Sequence, residues 1–322
     1  MYMRPVLVLL MLSGLVYSEN TLNFLLLGDW GGDPHYPYTT AAEVGCARQM
    51  GNQAKLILAN FTIALGDNMY YSGVKNEYDS RFAHTFENVF TDKYLQHTWY
   101  VIAGNHDHVG NVTGEIAYTD HSTRWTFPSL YYNKIFTFSK ITVQIVFIDT
   151  VILSGISDSN DPSKKYEIIH EEKIAQTQWE WIEDQLKAST ADWLLVAGHY
   201  PVWSIAEHGP TKILVDKLRP LLEKYKVTAY LCGHDHNMQH LREQGSVVDY
   251  FVIGAGHFTD SSNAHKNDVP HGSLKFFYGQ KDSYSDGAFA SITASSKELK
   301  ITYINVQGQS IYQHINSVPR NV

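Results

Sequence analysis

Six short apolar runs punctuate the first two thirds of the chain, at residues 22–27, 61–65, 100–103, 144–148, 193–197 and 227–231, and most of them end at glycine. Short apolar runs closed by glycine are the pattern of strands buried on both faces. Helical segments separate them. Across residues 171–189 the apolar positions Ala175, Trp179, Ile182 and Leu186 recur at steps of four, three and four, one face of a helix. Residues 212–226 read the same way, and Cys46 falls in another expected helix. Past Val247 the pattern becomes strand upon strand, at Phe251, 276–278, 288–292 and 301–304. Alternating strands and helices build parallel sheet, and the later strands extend it. The expected fold is α/β: a four-layer α/β/β/α sandwich of two mixed sheets in a single domain. With 322 residues and 44% hydrophobic content, the chain can fill such a core.

Five of the apolar runs lead directly into polar clusters. They are Gly28-Asp29-Trp30-Gly31, Gly66-Asp67-Asn68-Met69-Tyr70, Gly104-Asn105-His106-Asp107, Gly198-His199-Tyr200 and Gly233-His234-Asp235-His236. In open α/β sheets, ligands bind beyond the carboxyl ends of the strands, where these clusters would converge. A single Gly-Asp is a common turn, and a lone histidine more often belongs to core or surface. The inference comes from the set. Asp29, Asp67, Tyr70, Asn105, His199, His234 and His236 offer mixed nitrogen and oxygen donors suited to iron, zinc or manganese. Seven donors exceed what one ion takes, so two ions are expected, with a carboxylate shared between them. Such a pair screens phosphate charge, orients it for in-line attack and acidifies a bound water. No P-loop, G-x-S-x-G elbow or cysteine-phosphatase signature competes.

The remaining features concern location. Arg4, an apolar run to Val16 and the small-residue end Val16-Tyr17-Ser18 read as a signal peptide over residues 1–18, leaving 19–322 as the catalytic domain. The expected protein is therefore secreted or lysosomal, with no membrane span. Two sequons, at Asn60 and Asn111, agree with export. Cys46 and Cys232 are expected to be buried free thiols. The net charge of −8 argues against a nucleic-acid partner.

The order GDWG, GDNMY, GNHD, GHY, GHDH resembles the purple acid phosphatases, and the stretch from Val196 to Pro210 resembles their animal, tartrate-resistant branch. The resemblance spans the mature chain. It implies an acid phosphatase acting on phosphate monoesters or phosphoproteins as a monomer. Asp29, Tyr70 and His236 would hold Fe(III), Asp67 would bridge, and Asn105, His199 and His234 would hold Fe(II), with zinc or manganese as alternatives there. His106 and His208 match the family's histidines that bind phosphate and assist the leaving group. Both would be charged in acid and able to donate a proton. The polar loop 157–165, with Lys164-Lys165, resembles a segment over the active site whose cleavage by a protease raises activity. Positions that carry a disulfide in mammalian relatives align with Ser154 and Ile213. His257 stands where animal relatives carry asparagine and is expected at the substrate rim, while His108 would only shape its loop. His84, His97, His121, His170 and His265 read as surface or helix positions. Two rival readings are a phosphodiesterase or pyrophosphatase using two divalent ions, and a secreted iron-binding or redox protein with vestigial hydrolysis.

Overall fold

The computed structural model describes residues 21–155, 172–281 and 283–320. The expected signal peptide, His170 and the loop 157–165 lie outside them. In chain order the first four strands are β1 (Leu22–Leu27), β2 (Phe61–Leu65), β3 (Trp99–Ile102) and β4 (Trp125–Thr126). Then come β5 (Tyr132–Phe138), β6 (Ile141–Phe147), β7 (Trp193–Ala197), β8 (Ala229–Cys232) and β9 (Met238–Leu241). The last five are β10 (Asp249–Ile253), β11 (Leu274–Tyr278), β12 (Ala288–Ala294), β13 (Leu299–Asn305) and β14 (Ser310–Asn316). Among the described residues they form two seven-stranded sheets, ordered β14-β13-β12-β1-β2-β3-β4 and β11-β9-β10-β8-β7-β6-β5. Both are mixed. The runs β1-β2-β3-β4 and β6-β7-β8-β10 are parallel, and the outer strands pair antiparallel.

Period-two alternation decides what each face of the second sheet meets. Val143, Ile145, Phe147, Trp193 and Leu195 point into one core shared with Phe24, Leu26 and Ile63 of the first sheet. Val146, Leu194 and Val196 point the other way, onto Trp179, Ile182, Leu186, Leu218 and Leu222 of the outer helices. Those are α2 (Glu172–Ala188) and the helix in which a wide turn, Leu214–Leu218, runs directly into α3 (Arg219–Lys224). On the far side, α1 (Ala41–Ile57) packs Cys46, Met50 and Ala54 against the first sheet, giving the expected four layers. A capping box starts α1: the Glu43 amide donates to Thr40 Oγ1 at 3.1 Å, and the Thr40 amide donates to Glu43 Oε2 at 3.3 Å.

Some expected boundaries move. β6 begins at Ile141, three residues before the expected start, because it forms a hairpin with β5, a strand the apolar pattern hid. The helix expected at 212–226 runs without a gap from residue 212 to Lys224, its Leu214–Leu218 segment wound as a wide turn ahead of α3 and Pro220. Cys46 and Cys232 are both buried and free, and burial pushes both thiols up. No helix among the described residues is long and apolar enough to cross a membrane.

Candidate metal centre

The carboxyl ends of β1, β2, β3, β7 and β8 meet at one end of the sandwich. Asp29, Asp67 and His234, each just past a strand-ending glycine, adopt positive φ of 54°, 52° and 74°. A non-glycine residue takes that left-handed backbone only where its surroundings hold it there. The glycines before them are required by space. A Cβ on Gly104 would lie 2.1 Å from Asp67 Oδ1, and one on Gly233 would lie 2.2 Å from Asp29 Oδ2.

The seven expected donors converge. The Tyr70 hydroxyl donates to Asp29 Oδ1 at 3.2 Å and lies 3.4 Å from His236 Nε2. His199 donates from Nδ1 to the Leu65 carbonyl at 2.9 Å, which turns Nε2 toward Asn105 Oδ1 at 3.0 Å and Asp67 Oδ1 at 3.4 Å. Ligand atoms of Asp67, His199 and His234 lie within 4.8 Å of one another. The His234 amide donates to Asp29 Oδ2 at 2.7 Å, linking the β1 and β8 ends.

The electrostatics suit a cation. Burial pushes Asp29 well above the usual carboxylate range, and Asp67 adds to it. Burial also raises the Tyr70 phenol, helped by Asp29. It would raise Asp67 too, but His199 and His106 hold that carboxyl well below its ordinary range. Burial disfavours a charged His199, yet Asp67 lifts it to about 10. Burial and the neighbouring imidazoles keep His234 and His236 neutral. A metal ion among these groups favours carboxylate, phenolate and neutral imidazole together. The Nδ1 of His236 is buried with no hydrogen-bond partner, a further sign that a cation fits here.

The two expected acid histidines flank this cluster. His106 is fixed by an Nδ1 hydrogen bond to the Tyr71 carbonyl at 2.7 Å, and its Nε2 lies 3.9 Å from Asp67 Oδ2. The His208 ring stacks on His234 at 4.2 Å, and its amide donates to Asp235 Oδ1 at 3.0 Å. His257 corrects an expectation: it is 1% exposed, so it lies in the wall and not on the rim. It packs on Tyr70 at 4.7 Å with both ring nitrogens unpartnered. His97 is half-buried against Thr62 Oγ1 at 2.8 Å and is no surface residue. His108 forms a buried ion pair with Asp149 at 2.7 Å, joining the third loop to the segment after β6. His84 stacks on Tyr38, His121 packs on Tyr78 and His265 pairs with Asp268. Ser154 and Ile213 are present in place of any cysteine pair.

Sequence reasoning missed the groups that hold the loops. Asp107 accepts from the amides of Gly104, Asn68 and Met69 at 2.8–3.1 Å, closing the β3 loop onto the β2 loop. Burial and Asp67 raise its carboxyl to about 6. Arg81 donates to the Tyr70 and Gly31 carbonyls, both at 2.5 Å. Asp235 takes the Ser204 hydroxyl along with the His208 amide. Both aspartates sit inside quoted motifs, GNHD and GHDH, which was the signal available. Arg81 carried none. Trp30 of the first motif is anchored among Phe86, Phe90, Trp99 and Trp125.

Residues 22–238 match the calcineurin-like phosphoesterase family. The tartrate-resistant acid phosphatase type 5 of Rattus norvegicus is 47% identical over 318 residues, covering 98% of this chain and 95% of its own. The chain belongs to the tartrate-resistant acid phosphatases of the calcineurin-like phosphoesterase family. The Homo sapiens enzyme is 48% identical over 298 residues, covering 91% of this chain and 90% of its own. A solved Plasmodium structure, described as GAP50, the anchor in the inner membrane complex, shares the fold with a TM-score of 0.77. It is 23% identical and covers 94% of this chain and 90% of that one. As a member of this family, the chain is an acid phosphatase acting on phosphate monoesters, and the family implies a binuclear metal centre.

Proposed function

We propose that Asp29, Tyr70 and His236 hold a ferric ion, that Asp67 bridges, and that Asn105, His199 and His234 hold ferrous iron. The observation that carries this reading is the Tyr70 hydroxyl, set between Asp29 Oδ1 and His236 Nε2, a hard anionic donor suited to a trivalent ion. When bound, the pair screens the phosphate's charge, orients the ester and acidifies water. The chain's own residues supply the rest. His106, with Nδ1 committed to Tyr71, presents Nε2 beside Asp67 and binds a phosphate oxygen. His208, held by Asp235 through its amide, gives the leaving alkoxide a proton. The Tyr71 and Asp235 tethers keep both rings oriented, so little freedom is lost when the ester binds.

In this reading residues 1–18 direct secretion or lysosomal delivery of a monomeric catalytic domain, 19–322, and proteolysis between 157 and 165 relieves occlusion of the site. Metal analysis of the purified enzyme, with aryl phosphate hydrolysis at acidic pH, tests the assignment. Two irons per chain, with activity lost on chelation and restored by iron, is the expected result. Full activity with zinc or manganese in both sites contradicts it.

A further inference from the structure

A second set of donors gathers away from the catalytic centre. Asp249 opens β10 at the end opposite the catalytic loops, which follow the carboxyl end of the parallel strand β8. His240 lies on β9 of the same sheet, and His314 on β14, the edge strand of the facing sheet. His240 Nε2 is 2.8 Å from Asp249 Oδ1, and His314 Nε2 is 3.1 Å from Asp249 Oδ2. One ligand atom from each lies within 4.8 Å of the others. His240 and Asp249 are 1% exposed, whereas the His314 side chain is 20% exposed, leaving a way in from solvent.

We propose that His240, Asp249 and His314 form a third metal site, taking Zn(II), that clasps the two sheets together. Two imidazoles and one carboxylate, with a fourth position open to water on the His314 side, are a donor set zinc takes readily. The support expected behind a ligating histidine is present: His240 Nδ1 lies 2.7 Å from the Tyr312 hydroxyl, which fixes the ring with Nε2 turned to Asp249. The ring also stacks on Phe251 at 4.5 Å, so it cannot swing away. Burial works against an ionised Asp249, but hydrogen bonds from both histidines hold it at about 2, leaving a carboxylate for the ion. Arg242, 3.4 Å from Asp249 Oδ2, is the competitor. It is one-third exposed and also bonded to the Ser246 carbonyl, so it can withdraw when zinc enters.

The holoenzyme, with its catalytic metals in place, is equilibrated with micromolar zinc and freed of excess by gel filtration. Wild type is expected to carry three ions per chain, and His314→Ala and Asp249→Asn two, with aryl phosphate hydrolysis unchanged in all three. Zinc at about a hundredfold over its dissociation constant raises the wild-type Tm by about 5 °C and leaves His314→Ala unmoved. His314→Gln stands in if the alanine variant does not fold. A wild type that stays at two ions, or a third ion that survives both substitutions, overturns the proposal and leaves the cluster a hydrogen-bonded clasp.

Discussion

Gly104 lacks a side chain because Asp67 occupies the space: a Cβ there would meet its Oδ1 at 2.1 Å. Asp67 is tied to His199 and to the His106 amide at 3.0 Å, and in the proposed assignment its carboxylate serves both ions. Asp67→Asn is therefore expected to lose both ions, read as metal per chain, while the fold persists by circular dichroism. His106 touches the centre only through a 3.9 Å approach, so His106→Ala should keep both ions and lose about 10²–10⁴-fold in kcat. Near-normal turnover in His106→Ala across acidic pH would sink its role in binding phosphate. The donors were readable at this scale because each follows its strand directly. Arg81 was not, because it acts on carbonyls of other segments, and the motifs GNHD and GHDH did not reveal that Asp107 and Asp235 also bind amides of other loops.

At the scale of elements, strands with both faces buried announced themselves, and those stabilised by tertiary partners did not. β9 reads Met-Gln-His-Leu, hardly a strand by pattern, yet it is wholly buried. Gln239 there is satisfied by Ser204 and Asn237 at 2.7 and 2.8 Å, and His240 by Asp249 and Tyr312. The helix expected at 212–226 passes through Pro220, which lacks an amide proton, and the wider turn before it accommodates the missing bond without interrupting the helix. At the opening ends of β2 and β3, His97 carries a cost in acid. Burial pushes it down to about 4 from an ordinary value near 6.5. The unfolded chain thus takes up a proton below pH 6.5 that the folded chain refuses until about pH 4, and stability falls across that window as pH drops. Discounting for its partial exposure, the loss is about 2 kcal/mol. Urea unfolding of His97→Gln beside wild type should show that extra acid loss only in wild type. Parallel stability curves from pH 7 to pH 4 would remove His97 as the cause.

For the whole molecule, the order of strands decides what a cut between residues 157 and 165 can do. Each sheet draws on both sides of that segment: β1 pairs with β12, and β6 pairs with β7. The two fragments would be joined by those ladders and by the core shared between the sheets. Cys46 falls in one fragment and Cys232 in the other, both free. Limited proteolysis at Lys164-Lys165 should leave a native particle of unchanged size with raised activity. Its two pieces should part on a denaturing gel without reductant. Pieces that stay linked until reductant is added would mean a disulfide across the cut, and unchanged activity would remove the repressive role of the segment.

The ferric ion proposed at Tyr70 would leave its signature in the visible spectrum of the protein. Tyr70 is buried, 3.2 Å from Asp29 and 3.4 Å from His236, and its phenol is held protonated by burial and by Asp29. Only a strongly Lewis-acidic ion would draw that proton off, and a tyrosinate donating into Fe(III) colours the protein. Purified wild type with two irons per chain should show a visible charge-transfer band that Tyr70→Phe abolishes while the fold persists. A colourless, fully active wild type, or a band that survives in Tyr70→Phe, would rule out iron on Tyr70.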